Sequence, residues 1–459
     1  MFINQELIKR ILEETKNPTV EEAKVALSRV KNGERLTYKD AAILLMIEDK
    51  EVVLDMYKLA GELKESIYGK RIVMFAPLYV SDYCVNNCVY CGYQRCNKFT
   101  RRKLTQEEVA QEVRILEKMG HKRLALELGE DPVNAPIDYV LECLDTIYNT
   151  QNANGMIRRV NVNIAATTQE NYKKLLDKGI GTYILFQETY DKEAYEKMHP
   201  KSLKGDYEYH LTSFDRAMKA GIEDVGGGAL FGLADYRFEV LGLMMHNNYL
   251  EDTYGVGFHT ISVPRLRKAK GVSMENYPNL LTDELFKRVV AVLRIAVPYV
   301  GLILSTRETK EMRREVLRYG VSQVSAGSST GVGGYKDREE KGHDDKQFET
   351  SDERSPLQVI KGLLDDGYIP SYCTACYRTG RTGDRFMELA KSGEIQNVCE
   401  PNAITTLVEY ALDYGDDEFK EKAMRVALEV TANIKNERTK KIVEKNIEKL
   451  KSGVRDLFL

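Results

Sequence analysis

Cys84, Cys88 and Cys91 follow one another in a single short segment, YCVNNCVYCGY, at a C-x3-C-x2-C spacing. Three thiolates on one loop can each bind one iron of a 4Fe–4S cube, which leaves the fourth iron without a protein ligand. An open coordination position is what a catalytic metal needs and a structural metal avoids. A structural zinc site or reduced loop cysteines are the alternatives, but zinc would want a fourth ligand and no histidine lies nearby in sequence.

Cys373, Cys376 and Cys399 form a second group, at a C-x2-C-x22-C spacing in SYCTACYRTGRTGDRFM and IQNVCEP. Two cysteines on a turn and a third after a helix again supply three thiolates. They fit a second iron–sulfur cluster with one unusual iron, and they also fit a zinc site completed by a histidine from another part of the chain. The spacing favours the cluster only slightly, so both interpretations stay open on this ground.

Eight short apolar or β-branched runs begin at residue 71 and alternate with stretches of helical period. Such alternation indicates an α/β fold with a parallel sheet, and eight units over about 255 residues match a (β/α)8 TIM-type barrel. An open doubly wound sheet is the alternative. The first cysteine group directly follows the first run, at the carboxyl end of a strand, where barrel enzymes place their chemistry. The runs span residues 71–77, 122–128, 158–164, 181–187, 223–231, 259–264, 299–306 and 321–325.

Four segments are expected along the chain. Residues 1–70 are predicted to form an N-terminal helical segment, and residues 71–330 the barrel. Residues 331–355 combine glycines with the charge run KDREEKGHDDK, which predicts an exposed linker or loop. Residues 356–459 regain helical periodicity and are predicted to form a helical C-terminal domain that carries the second cysteine group.

Charge and hydropathy exclude several classes of protein. The 67 basic and 70 acidic residues give a net charge of −3, which argues against nucleic acid as a partner. No apolar run approaches the ~18 residues of a membrane span, and the N-terminus lacks the apolar core of a signal peptide. We therefore expect a cytoplasmic protein, in which the eight cysteines stay reduced and are candidates for metal or redox work.

The first cysteine segment, with an aromatic residue before its last cysteine, resembles the signature of the radical S-adenosylmethionine (SAM) superfamily. The resemblance implies that SAM chelates the open iron and is cleaved to a 5′-deoxyadenosyl radical. Glu130, in LGE after the second run, is similar to the residue that binds the SAM amino group, although it could simply be a surface acid. Gly228 and Gly232 follow a pattern that flanks the adenine. Tyr90 is expected to pack against the adenine, with ordinary loop packing as the alternative.

The chain as a whole resembles the tyrosine lyases that mature the active-site cluster of FeFe-hydrogenases, the HydG family. The resemblance rests on APLYVSDYCVNNCVYCGY, NVNIAATT, GTYILFQETY, LFGLADYRFEVLG, HTISVPRLR and above all CTACYRTGRTG. It implies cleavage of L-tyrosine to p-cresol and dehydroglycine, followed by CO and cyanide formation on an auxiliary 4Fe–4S cluster. That cluster would carry an additional iron bridged by a free cysteine. Implied partners are an electron donor such as ferredoxin or flavodoxin, and other hydrogenase maturases.

His259 matches the family's ligand to the additional iron. It opens the sixth predicted strand, so we expect it at the N-terminal mouth of the barrel, opposite the radical site. The two clusters are then predicted at opposite ends of the barrel, joined by an internal passage for dehydroglycine. A structural hydrogen-bonding role at the bottom of the barrel is the alternative for His259.

Substrate contacts are harder to assign. Asn163 and Gln187 lie at or near strand ends and could orient polar groups of the substrate, although structural hydrogen bonds are the commoner use of such residues. Ser329 stands where some relatives would have a basic residue suited to the substrate carboxylate. Either another arginine, with Arg265 and Arg267 as candidates, binds that carboxylate, or the substrate differs. Two other functions compete: a 2-iminoacetate synthase of thiamine synthesis, which lacks the second cluster, and a non-catalytic metal-binding scaffold.

Overall fold

The computed structural model describes residues 1–459, which form 20 α-helices, 11 strands and two 3-10 turns (Leu203–Gly205 and Met274–Asn276). The helices are α1 (Gln5–Glu14), α2 (Val20–Lys31), α3 (Tyr38–Met46), α4 (Lys50–Tyr68), α5 (Gln106–Lys118), α6 (Ile137–Asn149), α7 (Gln169–Asp177), α8 (Lys192–Met198), α9 (Tyr207–Leu211), α10 (Ser213–Lys219), α11 (Tyr236–Tyr254), α12 (Asp283–Ala296), α13 (Lys310–Tyr319), α14 (Gly334–Lys341), α15 (Pro356–Asp365), α16 (Ala375–Arg378), α17 (Gly383–Ser392), α18 (Gln396–Tyr414), α19 (Asp417–Ala432) and α20 (Glu437–Lys451). The strands are β1 (Arg71–Ser81), β2 (Arg123–Leu128), β3 (Gln151–Asn152), β4 (Gly155–Met156), β5 (Arg159–Asn163), β6 (Tyr183–Ile184), β7 (Val225–Gly228), β8 (Thr260–Ser262), β9 (Gly301–Leu304), β10 (Gln323–Ser325) and β11 (Ile369–Ser371).

Eight parallel strands close into the predicted barrel. Their order is β1, β2, β5, β6, β7, β8, β9 and β10, and β10 pairs back onto β1 to complete the ring. Each of the eight predicted runs overlaps one of these strands, so the (β/α)8 barrel is confirmed and the open sheet is excluded. The predicted runs coincide with the strands because a strand that is buried on both faces consists of consecutive apolar residues, and such a run is visible in the sequence.

A ninth parallel strand lies outside the ring. β11 pairs with the first residues of β1, with Arg71 opposite Ile369 and Val73 opposite Ser371. The predicted helical segment 356–459 thus contains one short strand besides its helices. β11 has only three residues, all buried, and so short a segment shows no periodicity that could have indicated a strand. It brings the C-terminal segment against the start of β1.

Residues 331–355 are not the exposed linker that the charge run predicts. They contain α14, and Tyr335 at its start is buried and donates a hydrogen bond from its hydroxyl to the Pro77 carbonyl at 2.7 Å. A Cβ on Gly331 would overlap the Asp345 carbonyl oxygen, so glycine permits the tight fold of this segment. Some charges of the run face outward, whereas the Asp344 side chain is buried and pairs with Arg338 at 3.0 Å. Composition alone could not distinguish this packed segment from a free loop.

One hydrophobic core of 106 buried residues joins the N-terminal helices, the barrel and the C-terminal segment. Residues 1–70 form four helices, of which α4 packs on α12 and α13 at the outside of the barrel. Thr105 and Glu108 form a capping box that starts α5 directly after the cysteine loop. No helix is long and apolar enough to span a membrane.

Candidate functional site

A cavity of about 240 Å³ opens at the carboxyl ends of the barrel strands. All three cysteines of the first group line it: Cys88 is buried, while Cys84 and Cys91 are half-buried. Phe75 and Phe186 contribute to its apolar walls. A concave, largely apolar cavity with a few convergent polar groups is the usual form of a small-molecule site.

Hydrogen bonds from outside the loop fix the first cysteine segment. Arg101 donates to the carbonyl oxygens of Asp82 and Tyr93, at 2.6 and 2.8 Å. The side-chain amide of Gln347, from the segment after α14, lies 3.4 Å from Cys91 Sγ. Three thiols therefore face one cavity from a loop whose backbone is held in place.

Glu130 lies beside this loop and lines the same cavity. Its backbone carbonyl accepts from the Val85 N–H at 2.8 Å, and Asn86 Nδ2 donates to its carboxylate at 2.5 Å. A Cβ on Gly129 would lie 2.4 Å from the Tyr83 carbonyl oxygen, so glycine is required for this close approach. Burial raises the pKa of the Glu130 carboxyl above its usual range.

Tyr90 also lines the cavity, and a histidine fixes its ring. Its hydroxyl lies 2.8 Å from His199 Nε2, while His199 Nδ1 lies 2.8 Å from the Tyr195 carbonyl oxygen. Burial lowers the pKa of His199 to about 3, so the imidazole is neutral. A neutral imidazole has one donor and one acceptor; Nδ1 must donate to the carbonyl, and Nε2 accepts from Tyr90.

The two predicted glycines lie behind the cavity wall. A Cβ on Gly228 would lie 2.8 Å from the Phe186 ring, and Gly232 adopts a φ of +123°, which disfavours other residues. Leu230, between them, lines the cavity. The two glycines thus allow the backbone to pack closely at this wall, and they contribute no side chain to the cavity.

An ion pair that the sequence patterns did not single out completes this end of the cavity. Lys204 Nζ lies 2.6 Å from Glu188 Oε1, and both residues line the cavity. Glu188 has a φ of 67°, a left-handed conformation that non-glycine residues adopt at a cost and often at functional positions. Glu188 directly follows the fourth predicted strand run, and that strand-end position was the only available signal.

Only some of the predicted substrate residues line the cavity. Asn163 lines the cavity. Gln187 does not, and its buried Nε2 has no hydrogen-bond partner. Ser329 turns away, because its hydroxyl donates to Asp344 at 2.5 Å.

The structure does not bring Arg265 into the cavity. Arg265 is buried in ion pairs with Glu308 and with Asp283 (2.8 Å). Arg267 reaches the cavity, but Glu308 also holds it at 2.8 Å. Both arginines follow a strand end. Each forms a salt bridge with Glu308, which lies in the loop after the next strand.

Arg307 is the cavity arginine that no carboxylate holds. It stacks on Phe348, with its guanidinium carbon 3.4 Å from the ring centroid, and makes no salt bridge. Glu127 lines the same part of the cavity, and burial raises the pKa of its carboxyl to about 7. Neither residue belongs to a recognisable sequence motif, although Arg307 lies just past the end of β9, where barrel enzymes place functional side chains.

The second cysteine group lies directly after β11. Cys373 N–H donates to Ser371 Oγ at 3.2 Å, Cys376 lies in α16, and Cys399 lies in the first turn of α18. A hydrogen bond from Cys376 lowers the pKa of the Cys399 thiol to about 7, with a further contribution from Arg71. The three cysteines therefore meet at one place, although the chain separates them.

His259 lies at this same place. Its Nε2 is 3.5 Å from the Tyr377 hydroxyl, which also lies 2.8 Å from Thr182 Oγ1 and accepts from Arg123 at 3.2 Å. His259, Thr182 and Arg123 each stand at the start of a barrel strand or just before it. Burial lowers the pKa of His259, so its ring is neutral. The second group thus closes the N-terminal mouth of the barrel through the adjacent Tyr377.

Buried polar atoms without a hydrogen-bond partner concentrate at this mouth. Such atoms are rare in proteins and indicate a missing partner. Four belong to arginines, so the missing partner is polar and anionic in character. They are Nε of Arg71, Arg123, Arg159 and Arg381, Oδ2 of Asp224, Nδ1 of His259 and Oγ1 of Thr260.

The two cysteine groups therefore occupy opposite ends of one barrel. Cys84 follows the end of β1, whereas β11, which leads into Cys373, pairs with the start of β1. No three His, Cys, Asp or Glu side chains converge closely enough to hold one metal ion. A cube binds each thiolate through a different iron, so its ligands need not converge on a point.

The chain resembles known proteins in sequence and in fold. Residues 78–236 match the radical SAM superfamily, and residues 262–369 match the biotin and thiamin synthesis associated domain. The 2-iminoacetate synthase of Salmonella typhimurium is 30% identical over 75% of this chain and 89% of its own length.

Two solved structures match almost from end to end. A HydG described as a maturase of the FeFe-hydrogenase is 53% identical, covers 100% of both chains and superposes with a TM-score of 0.96. The HydG of Carboxydothermus hydrogenoformans is 38% identical, covers 96% of this chain and 98% of its own, and gives a TM-score of 0.84. The chain thus belongs to the HydG family of FeFe-hydrogenase maturases and is a radical SAM enzyme.

Proposed function

We propose that this enzyme is a tyrosine lyase that cleaves L-tyrosine to p-cresol and dehydroglycine and then forms CO and cyanide at a second site. The observation that carries the proposal is the pair of cysteine groups at opposite ends of one barrel, with a substrate-sized cavity beside the first. The resulting iron–CO–cyanide unit would serve assembly of the FeFe-hydrogenase cluster. Binding of iron–sulfur clusters by these cysteines requires reduced thiols, so the proposal favours a cytoplasmic location for the enzyme.

The first donor set fits a 4Fe–4S cluster with SAM. Cys84, Cys88 and Cys91 would hold three irons, and SAM bound at the fourth would supply a 5′-deoxyadenosyl radical. Glu130, which accepts a hydrogen bond from Asn86, would accept another from the SAM amino group. The apolar walls limit the access of water to a reactive species.

Arg307 is suited to bind the tyrosine carboxylate. A guanidinium presents paired N–H donors to a carboxylate, and this one forms no salt bridge in the structure. Phe75, Tyr79 and Phe186 line the same cavity and offer surfaces for an aromatic ring. An amino acid with an aromatic side chain therefore matches the cavity.

The second donor set fits an auxiliary 4Fe–4S cluster with an additional iron. Cys373, Cys376 and Cys399 would hold the cluster, and neutral His259 would bind the additional iron that carries a free cysteine. Its Nδ1 makes no hydrogen bond and lies 3.5 Å from Asp224 Oδ1. The neighbouring arginine Nε atoms would satisfy anionic groups of that assembly. Dehydroglycine would cross the barrel interior to reach it.

Reduction requires a one-electron donor, and the outer face of the first cysteine loop carries unpaired positive charge. Arg95 and Lys98 follow the loop, and Asn97 between them donates to the Lys270 carbonyl at 2.7 Å. Segment 197–202 also borders the loop, since Asn87 N–H donates to Ser202 Oγ at 2.8 Å. Such a rim favours docking of an acidic ferredoxin or flavodoxin, because opposite charges accelerate association. The exposed cations of this basic rim, none of which forms a salt bridge, are Arg95, Lys98, Lys197, Lys201 and Lys270.

The test is anaerobic reconstitution of the full chain with iron, sulfide, SAM, a reductant and L-tyrosine, with p-cresol and CO assayed together. Formation of both products supports the proposal. Formation of p-cresol and dehydroglycine without CO would instead support the activity named for the 2-iminoacetate synthase relatives. Absence of 5′-deoxyadenosine would support a non-catalytic scaffold and refute the proposal.

A further inference from the structure

Three carboxyl groups line the cavity beside the first cysteine group, and two of them already have partners. Asn86 donates to Glu130, and Lys204 pairs with Glu188. Glu127 lies in the cavity without a salt bridge. It is therefore the one cavity carboxyl that is free to meet a cationic group of a bound molecule.

The surroundings of Glu127 are polar and belong to the barrel itself. Tyr79 on β1 and Asn163 on β5 stand opposite Glu127 in the strand register, so polar side chains flank its carboxyl on both sides. Arg307, past β9, faces it, and Tyr93 of the cysteine loop lies near. Rigid strands thus hold Glu127 at a fixed depth in the cavity.

Arg307 and Glu127 present opposite charges to one small cavity. An α-amino acid carries the complementary pair, a carboxylate and an ammonium on the same carbon. If Arg307 binds the carboxylate, the ammonium is directed toward the remaining unpaired anion. This arrangement would select an amino acid over its deaminated or decarboxylated analogue.

We propose that Glu127 binds the α-ammonium of the substrate and accepts a proton from it. The step converts the ammonium to a neutral amine and the carboxylate to a carboxylic acid, so that one N–H bond breaks and one O–H bond forms. It rests on the proposed function, in which a hydrogen atom is removed from the tyrosine amine, because the neutral amine is the form that the reaction requires. Glu127 is then a catalytic residue in contact with substrate.

The titration of Glu127 suits this role. Burial is the main cause that raises its pKa to about 7, while Tyr79, Arg307 and Asn163 oppose the rise. A base is most effective when its pKa lies near the working pH. The carboxyl is charged and able to accept a proton above pH 7 and is protonated below it, so kcat/KM for tyrosine is expected to rise as pH increases through about 7.

The experiment compares the reconstituted wild type with Glu127→Gln, Glu127→Asp and Glu188→Gln. Equilibrium dialysis measures binding of L-tyrosine and of 3-(4-hydroxyphenyl)propanoate, which lacks the amine, and product assays give kcat/KM from pH 6 to 9. Glu127→Gln is expected to lose at least tenfold of the preference for tyrosine and to lose the rise in kcat/KM near pH 7. Glu127→Asp should restore part of both. Iron content and circular dichroism verify that each variant is folded and loaded.

Glu188→Gln removes a carboxyl from the same cavity and is the matched control, expected to keep the preference for the amine. An equal loss in both variants would overturn the proposal, because general cavity charge would then explain it. An unchanged preference and pH profile in Glu127→Gln would also overturn it. If the wild type prefers the amine but does not cleave tyrosine, the proposed function falls while Glu127 stands as an ammonium site; if it binds neither ligand, both fall.

Discussion

The two ends of the barrel are built in opposite ways. At the carboxyl end, one continuous loop supplies three cysteines beside an apolar cavity, and the polar residues there are largely paired. At the amino end, segments from distant parts of the chain meet, and many buried polar atoms lack partners. The first end is suited to enclose an organic substrate, and the second to hold a charged inorganic group. The difference indicates two separable sites with different chemistry.

Removing the first cysteine group should have the largest effect on activity. Cys84→Ala with Cys88→Ala is expected to abolish p-cresol, CO and 5′-deoxyadenosine together, a loss of at least ~1,000-fold, because the radical source is removed. Product assays and iron analysis measure this, and about half of the iron should remain. Cys96→Ala, which alters an exposed cysteine outside both groups, is the control and should keep all three products. Residual p-cresol in the double variant would contradict the assignment.

Removing the second group should separate the two products. Cys373→Ala with Cys376→Ala is expected to abolish CO while p-cresol formation stays within about twofold, because the cavity at the other end is untouched. Parallel assays of both products measure the separation. Loss of both products in a folded variant that retains the first cluster would refute two independent sites.

The two arginines after strand ends should behave differently. Arg307→Gln is expected to raise KM for tyrosine by about 10- to 100-fold, since a charge-assisted hydrogen bond to the carboxylate is lost. Its Tm should change little, because Arg307 forms no salt bridge. Arg265→Gln should instead lower the free energy of unfolding by about 3 kcal/mol, because it leaves Glu308 buried without one partner. Steady-state kinetics and thermal denaturation distinguish them, and exchanged results would contradict the site.

Charge on the outer face should affect only reduction. Lys98→Glu with Lys270→Glu is expected to slow reduction by an acidic flavodoxin about three- to tenfold at low salt, because the basic rim loses its attraction. The rate with dithionite, a small reductant, serves as the control and should be unchanged. If the flavodoxin rate is insensitive to both charge reversal and salt, the rim is not the docking surface.

Tyr377→Phe should have the smallest effect. The hydroxyl links Thr182, Arg123 and the region of His259, and its loss is expected to lower the free energy of unfolding by about 1 kcal/mol. Chemical denaturation measures this, and p-cresol formation should not change. A large fall in p-cresol would show that the two ends are coupled more tightly than their construction indicates.

The barrel strands and the two cysteine groups could be predicted from the sequence, because each depends on a pattern of neighbouring residues. Each barrel strand is buried on both faces and reads as an apolar run, and both cysteine groups are visible as spacings. The sequence could not show that β11 joins β1, because three residues carry no period. It could not distinguish Arg265 from Arg307 either, since both follow a strand end. The difference lies in Glu308, which only the folded barrel brings beside Arg265.

β1 connects the two ends of the barrel. Its last residue leads into the first cysteine loop, and its first residues pair with β11. Its 11 residues span about 33 Å at ~3.3 Å per residue. The length of this strand contributes to the separation of the two cysteine groups. Under the proposed function, a labile product made at one end would have to cover this distance by diffusion, so its delivery would depend on transit time and not on a carrier arm.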